Sequence, residues 1–90
     1  MREPGFIKRS PRIDARFEAT LVAADGGEAV VIVTDISSAG VRLETEGPLP
    51  IGARFGLRLA KLGEVPMQVR WSLGNEAGGA FLEPVDFADF

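Results

Sequence analysis

Two short polar clusters hold the residue types with which this 90-residue chain can do recognition chemistry. The first is Lys8-Arg9-Ser10-Pro11-Arg12, and the second is Asp35-Ile36-Ser37-Ser38-Ala39-Gly40. Guanidinium and ammonium groups form charge-assisted hydrogen bonds to phosphate oxygens, and the guanidinium fork also matches the O6 and N7 acceptors of guanine. An ionised carboxylate such as Asp35 accepts from the N–H donors on guanine's other edge. Asp35 and Ser37 have the same parity, so in extended backbone both point to one face. Gly40 can take a backbone geometry closed to other residues, or let a ligand come close to the main chain. Each cluster also has a purely structural explanation. Asp and Ser bond their own backbone in loops, and a basic pentapeptide can be a solvated arm. Together, however, they supply what a guanine nucleotide needs.

Other chemistries are excluded by missing residues. The chain has no Cys, no His and no Tyr. Disulfides and Cys/His zinc sites are therefore impossible, and so are Cys–His and Ser–His–Asp mechanisms. A Ser–Lys mechanism would have to use Lys8 or Lys61, and neither lies in a recognisable motif. No glycine-rich phosphate loop is present: Gly78-Gly79 is too short, and no Gly-Lys-Ser/Thr follows a strand. The expected protein is not an enzyme.

The formal net charge of −3 conceals an uneven distribution. Residues 1–16 hold five basic and two acidic groups, whereas residues 17–90 hold five basic and eleven acidic ones. A basic head on an acidic body fits a small anion near the start of the chain. It does not fit DNA or RNA, whose binding demands a broad basic face. The longest apolar run, Ala29–Val33, is five residues, far short of the ~20 needed to span a bilayer. No apolar run follows the early basic residues, so a secretory signal is not expected and the cytoplasm is the expected compartment.

Short strands must position the two clusters. Residues 1–11, with Pro4, Gly5 and Pro11, read as a flexible leader with little apolar surface beyond Phe6 and Ile7. Phe17–Val22 alternates with period two, Asp25-Gly26-Gly27 is a turn sequence, and Glu28–Thr34 is a Val/Ile-rich strand, so a hairpin is expected. A loop over Asp35–Ala39 then leads into a strand at Gly40–Thr45. The Gly47–Gly52 stretch, with Pro48 and Pro50, interrupts the strands. Further strands are expected at Arg54–Ala60, Val65–Leu73 and Gly78–Leu82. Alternation assigns Val65, Met67, Val69, Trp71 and Leu73 to one apolar face, so Trp71 is expected in the core rather than as a stacking platform. Phe17, Phe55 and Phe81 read as core, and Arg42, Arg54, Arg58 and Arg70 as solvated outer faces. Six strands with regular turn signals predict an all-β fold, a single small six-stranded antiparallel barrel over residues 12–84. Residues 85–90 form a tail whose Phe87 and Phe90 can pack over an open barrel end or begin a helix.

With these residues in view, the sequence resembles the PilZ family, bacterial receptor domains for cyclic dimeric GMP. That family carries RxxxR in an N-terminal loop and DxSxxG between barrel strands. Here DxSxxG is complete as Asp35, Ser37 and Gly40, and the arginine motif reads Lys8-Arg9-Ser10-Pro11-Arg12, with Lys8 in the first arginine's place. Gly52 before an alternating strand, Val69-Arg70-Trp71 and Gly79-Ala80-Phe81 are also similar to the family, and the resemblance spans about residues 8–84. Arg12-Ile13-Asp14-Ala15-Arg16 fits RxxxR as well. The earlier register is preferred because Arg16 opens the first strand and so lies beyond the loop.

The resemblance implies a receptor that binds cyclic dimeric GMP, with no other cofactor and no metal. Lys8, Arg9 and Arg12 would hold phosphates and a guanine acceptor edge, Asp35 and Ser37 would bond guanine, and Gly40 would keep the backbone clear. Lysine keeps the charge of arginine but loses the fork, which Arg9 can replace from the next position. The expected partner is a protein effector, the expected assembly a monomer or weak dimer, and the expected signal an ordering of the leader against the barrel. The alternative is an adaptor of the same fold that does not bind the nucleotide and acts through protein contacts.

Overall fold

Where β-branched and aromatic residues alternate with polar ones, the chain forms strands that bury one face and solvate the other. The computed structural model describes residues 12–13, 16–60 and 62–85. Seven strands are present: β1 (Arg12–Ile13), β2 (Phe17–Val22), β3 (Glu28–Ser37), β4 (Gly40–Glu44), β5 (Arg54–Leu59), β6 (Gly63–Leu73) and β7 (Glu76–Phe81). Six of them close a ring in the order β3-β2-β5-β6-β7-β4, with β4 returning to pair with β3. Every pairing is antiparallel. The expected six-stranded barrel is the observed one. Among the described residues no helix is long and apolar enough to cross a membrane.

Closure gathers the inward faces into one core. Val33, Leu43, Leu57, Met67 and Val69 are wholly buried, and Phe17, Leu49, Phe55, Phe81 and Val85 pack against its margin. Each fully buried aliphatic side chain contributes about 1.5–3 kcal/mol relative to an exposed one. No polar or charged residue is buried among the described residues, so the outer face carries all the recognition chemistry they offer.

Four expectations need correction. The loop expected over Asp35–Ala39 shrinks to Ser38 and Ala39: β3 runs on through Ser37, because β4 takes its backbone on one edge and β1 on the other. β1 itself went unread, since two residues are too short to show alternation. β7 begins at Glu76, not at Gly78. Lastly, Trp71 is 37% exposed and Leu73 76%, so neither shares the buried face of Val65, Met67 and Val69. The cause of this last difference is a β-bulge. Val69 pairs with Gly79, the next pair is Trp71 with Gly78, and Arg70 is the extra residue that reverses the parity. Residues 1–11, with Lys8 and Arg9, lie outside the described residues, as do Phe87 and Phe90 of the tail.

Candidate functional site

A second bulge builds the site. In β3, Val33 pairs with Leu43 and the next pair is Asp35 with Arg42, which leaves Thr34 as the extra residue. Val33 and Ile36 can therefore both face inward, at 0% and 1% exposure, with Asp35 half-buried between them on the outside. Asp35 then lies opposite Arg42, Arg42 opposite Gly78, and Gly78 opposite Trp71. One row of residues thus crosses β3, β4, β7 and β6. Its third member, Gly78, lacks a side chain. A Cβ at Gly78 would overlap the indole of Trp71, so glycine is what lets the ring lie down over the β7 backbone.

Together these residues form a surface depression of about 230 Å³ lined by Asp35, Ser37, Gly40, Val41, Arg42 and Trp71. The Arg42 guanidinium carbon lies 6.0 Å from the centre of the Trp71 ring, at the outer limit of a cation–π contact. Closed small-molecule pockets usually measure ~300–1,000 Å³, so this depression can seat one part of a ligand and the remainder must be held elsewhere. A larger depression of about 460 Å³, bounded by Leu21, Val30 and Leu49, is rimmed by Glu28 and Glu46, the wrong sign for an anion.

Ser37 has a structural task as well. Its hydroxyl oxygen accepts from the amides of Ala39 at 3.2 Å and Gly40 at 3.3 Å, which fixes the turn between β3 and β4. With both lone pairs engaged, the hydroxyl proton is what it can offer to a ligand. Gly40 answers to packing more than to ligand clearance: a Cβ there would stand 2.5 Å from the Gly79 carbonyl oxygen across the β4–β7 pair. Of the expected site residues, Asp35, Ser37 and Gly40 are thus brought together. Arg12 lies in β1, and the register sets its backbone opposite Ser37.

Arg16, the last residue of the alternative arginine register, is engaged elsewhere. Its Nη1 donates to Glu44 Oε2 and its Nη2 to Glu44 Oε1, each at 2.7 Å. Those hydrogen bonds hold the Glu44 carboxyl below the usual carboxylate range and raise Arg16. A carboxylate with a depressed pKa stabilises the fold above its ordinary pKa, and that contribution is lost as pH falls through the depressed value. Glu44→Gln should therefore lower Tm slightly at neutral pH, and the difference should shrink as pH falls below the ordinary glutamate value of about 4.3 and wild-type Glu44 takes up its proton too. Thermal melts of both proteins across that range check this.

Arg42 lines the site from the solvated outer face on which it was expected, whereas Trp71, expected in the core, lines it too. A signal for Trp71 was nevertheless present. Gly74-Asn75 is a two-residue hairpin loop, and it pairs Leu73 with Glu76. Cross-strand partners share a face, so solvation of Glu76 draws Leu73 outward, and Trp71 with it.

No curated protein matches the chain. The family model described as PilZ domain matches residues 7–89, nearly the whole length. With a closed six-stranded barrel and Asp35, Ser37 and Gly40 converging on one outer depression, the chain belongs to the PilZ domain family.

Proposed function

We propose that this chain binds cyclic dimeric GMP on the outer face around Asp35 and Ser37 and relays the bound state to a protein effector. The observation that carries this reading is the shared depression of Asp35, Ser37 and Gly40 beside the β1–β3 pair that holds Arg12. Asp35 accepts from the N–H edge of a guanine, and Ser37 donates its hydroxyl. Arg12, with Lys8 and Arg9, holds the phosphates through charge-assisted bonds. The exposed Trp71 ring offers the base an apolar surface to lie against. No bond is made or broken.

Calorimetric titration with cyclic dimeric GMP, with GTP and a single-stranded oligonucleotide as controls, tests the reading. Saturable binding of the cyclic dinucleotide alone is expected. Lysine at position 8 favours a second reading, an adaptor that uses protein contacts only, because a point charge cannot reproduce a two-pronged base contact. Absence of heat with the cyclic dinucleotide would select it. If the nucleotide does bind, Lys8→Arg should tighten it, by up to about tenfold for one improved charged hydrogen bond. An unchanged affinity would remove Lys8 from the site.

A further inference from the structure

The row across β3, β4, β7 and β6 contains a guanidinium that neither motif assigns. Arg42 lines the depression together with Asp35, Ser37 and Trp71, and its side chain is exposed. The Thr34 bulge sets it directly across from Asp35, so both outward side chains reach the same small volume. Its contact with Trp71 is long, at 6.0 Å, and at an exposed site such a contact is weak. Little is lost when the group swings to a better acceptor. Two of the other described arginines are engaged with carboxylates, Arg16 with Glu44 at 2.7 Å and Arg58 with Glu28 at 3.2 Å and Glu64 at 3.8 Å.

We propose that Arg42 is a specificity-determining residue of this site, whose guanidinium leaves the Trp71 face to fork onto O6 and N7 of the guanine seated against Asp35. The inference rests on the nucleotide reading above and deepens it. Guanine offers two acceptors on that edge, whereas adenine places an amino donor where O6 would be, so a donor-only fork accepts the first and rejects the second. Lysine at position 8 lacks such a fork, and Arg42 supplies it from the barrel itself. β4 thus supplies a guanine-selective contact beside that of Asp35 in β3.

Trp71 is the only tryptophan in the chain, so its emission reports on this face alone. Wild type, Arg42→Ala and Arg42→Lys should be titrated with cyclic dimeric GMP and with its adenine counterpart, by calorimetry and by Trp71 fluorescence. Arg42 is exposed, and equal Tm values for the three proteins establish that all are folded. In wild type, cyclic dimeric GMP is expected to bind selectively and to change Trp71 emission. Arg42→Ala should weaken it by about tenfold to a hundredfold, the effect of one or more charged hydrogen bonds. Arg42→Lys should not restore it, and the preference over the adenine compound should shrink in both variants. Variants that bind as wild type does, or that lose both dinucleotides equally, would overturn the assignment; the second result would leave Arg42 as a general electrostatic contributor. Failure of wild type itself to bind cyclic dimeric GMP would overturn the nucleotide reading and this one with it.

Discussion

Replacing Asp35 by alanine is expected to weaken cyclic dimeric GMP binding about a hundredfold or more and to leave the fold intact. Two donors on the guanine edge, N1–H and the N2 amino group, can both bond one carboxylate, and each charge-assisted bond is worth about 1.5–3 kcal/mol. Alanine removes both acceptors and leaves those donors facing an apolar methyl. Asp35 is half-buried on the outer face and the core residues beside it, Val33 and Ile36, are untouched, so Tm should move by only about a few degrees. Calorimetry together with a thermal melt separates the two effects. Full affinity in a folded Asp35→Ala protein would move the base-recognition site away from β3.

Gly40→Ala should do the reverse and act on stability first. Its methyl would stand 2.5 Å from the Gly79 carbonyl oxygen and 3.6 Å from the Ala80 Cα, both backbone atoms of the neighbouring strand. Backbone cannot rotate away as a side chain can, so β4 and β7 must part, and this pairing is one of those that close the ring. Overpacking of this kind costs about 1–3 kcal/mol, which for a domain of this length is roughly 4–24 °C in Tm. Binding should fall as well, because the Gly40 amide that helps to fix Ser37 shifts with the strand. A variant with unchanged Tm but lost binding would mean that Gly40 is needed for access of the ligand and not for strand packing.

The barrel was legible because its signals are local. Alternation in Phe17–Val22, the Asp25-Gly26-Gly27 turn and the valine-rich run after it lead directly to the β2–β3 hairpin, in which the Gly27 amide donates to Asp25 Oδ1 at 2.8 Å. The DxSxxG motif was legible by residue type. What escaped was parity. Nothing in Val69-Arg70-Trp71 marks Arg70 as a bulge, since a strict alternation from Val65 to Leu73 is an equally good pattern of apolar residues. The decision is made across the sheet, by the register that the Gly74-Asn75 loop imposes on Leu73 and Glu76. Asp35 and Ser37 were read as loop because their side chains are polar, but the backbone there is held as strand by β1 and β4 on its two edges. A partner as distant in sequence as β1 cannot be inferred from a window of neighbouring residues.

Thr34 and Arg70 are the residues that the two bulges take out of the count. If Arg70 alone were deleted, plain alternation would run from Val69 to Leu73 in the same register with β7: Trp71 and Leu73 would still face outward and Ser72 inward. If Thr34 alone were deleted, Val33, Asp35 and Ile36 would alternate plainly and Asp35 would still face outward opposite Arg42. The outer face of this barrel is therefore written in counting as well as in chemistry. A gain or loss of one residue elsewhere within a strand, where no bulge absorbs it, exchanges the inward and outward faces. Substitution, by contrast, has to rebuild such a face one position at a time.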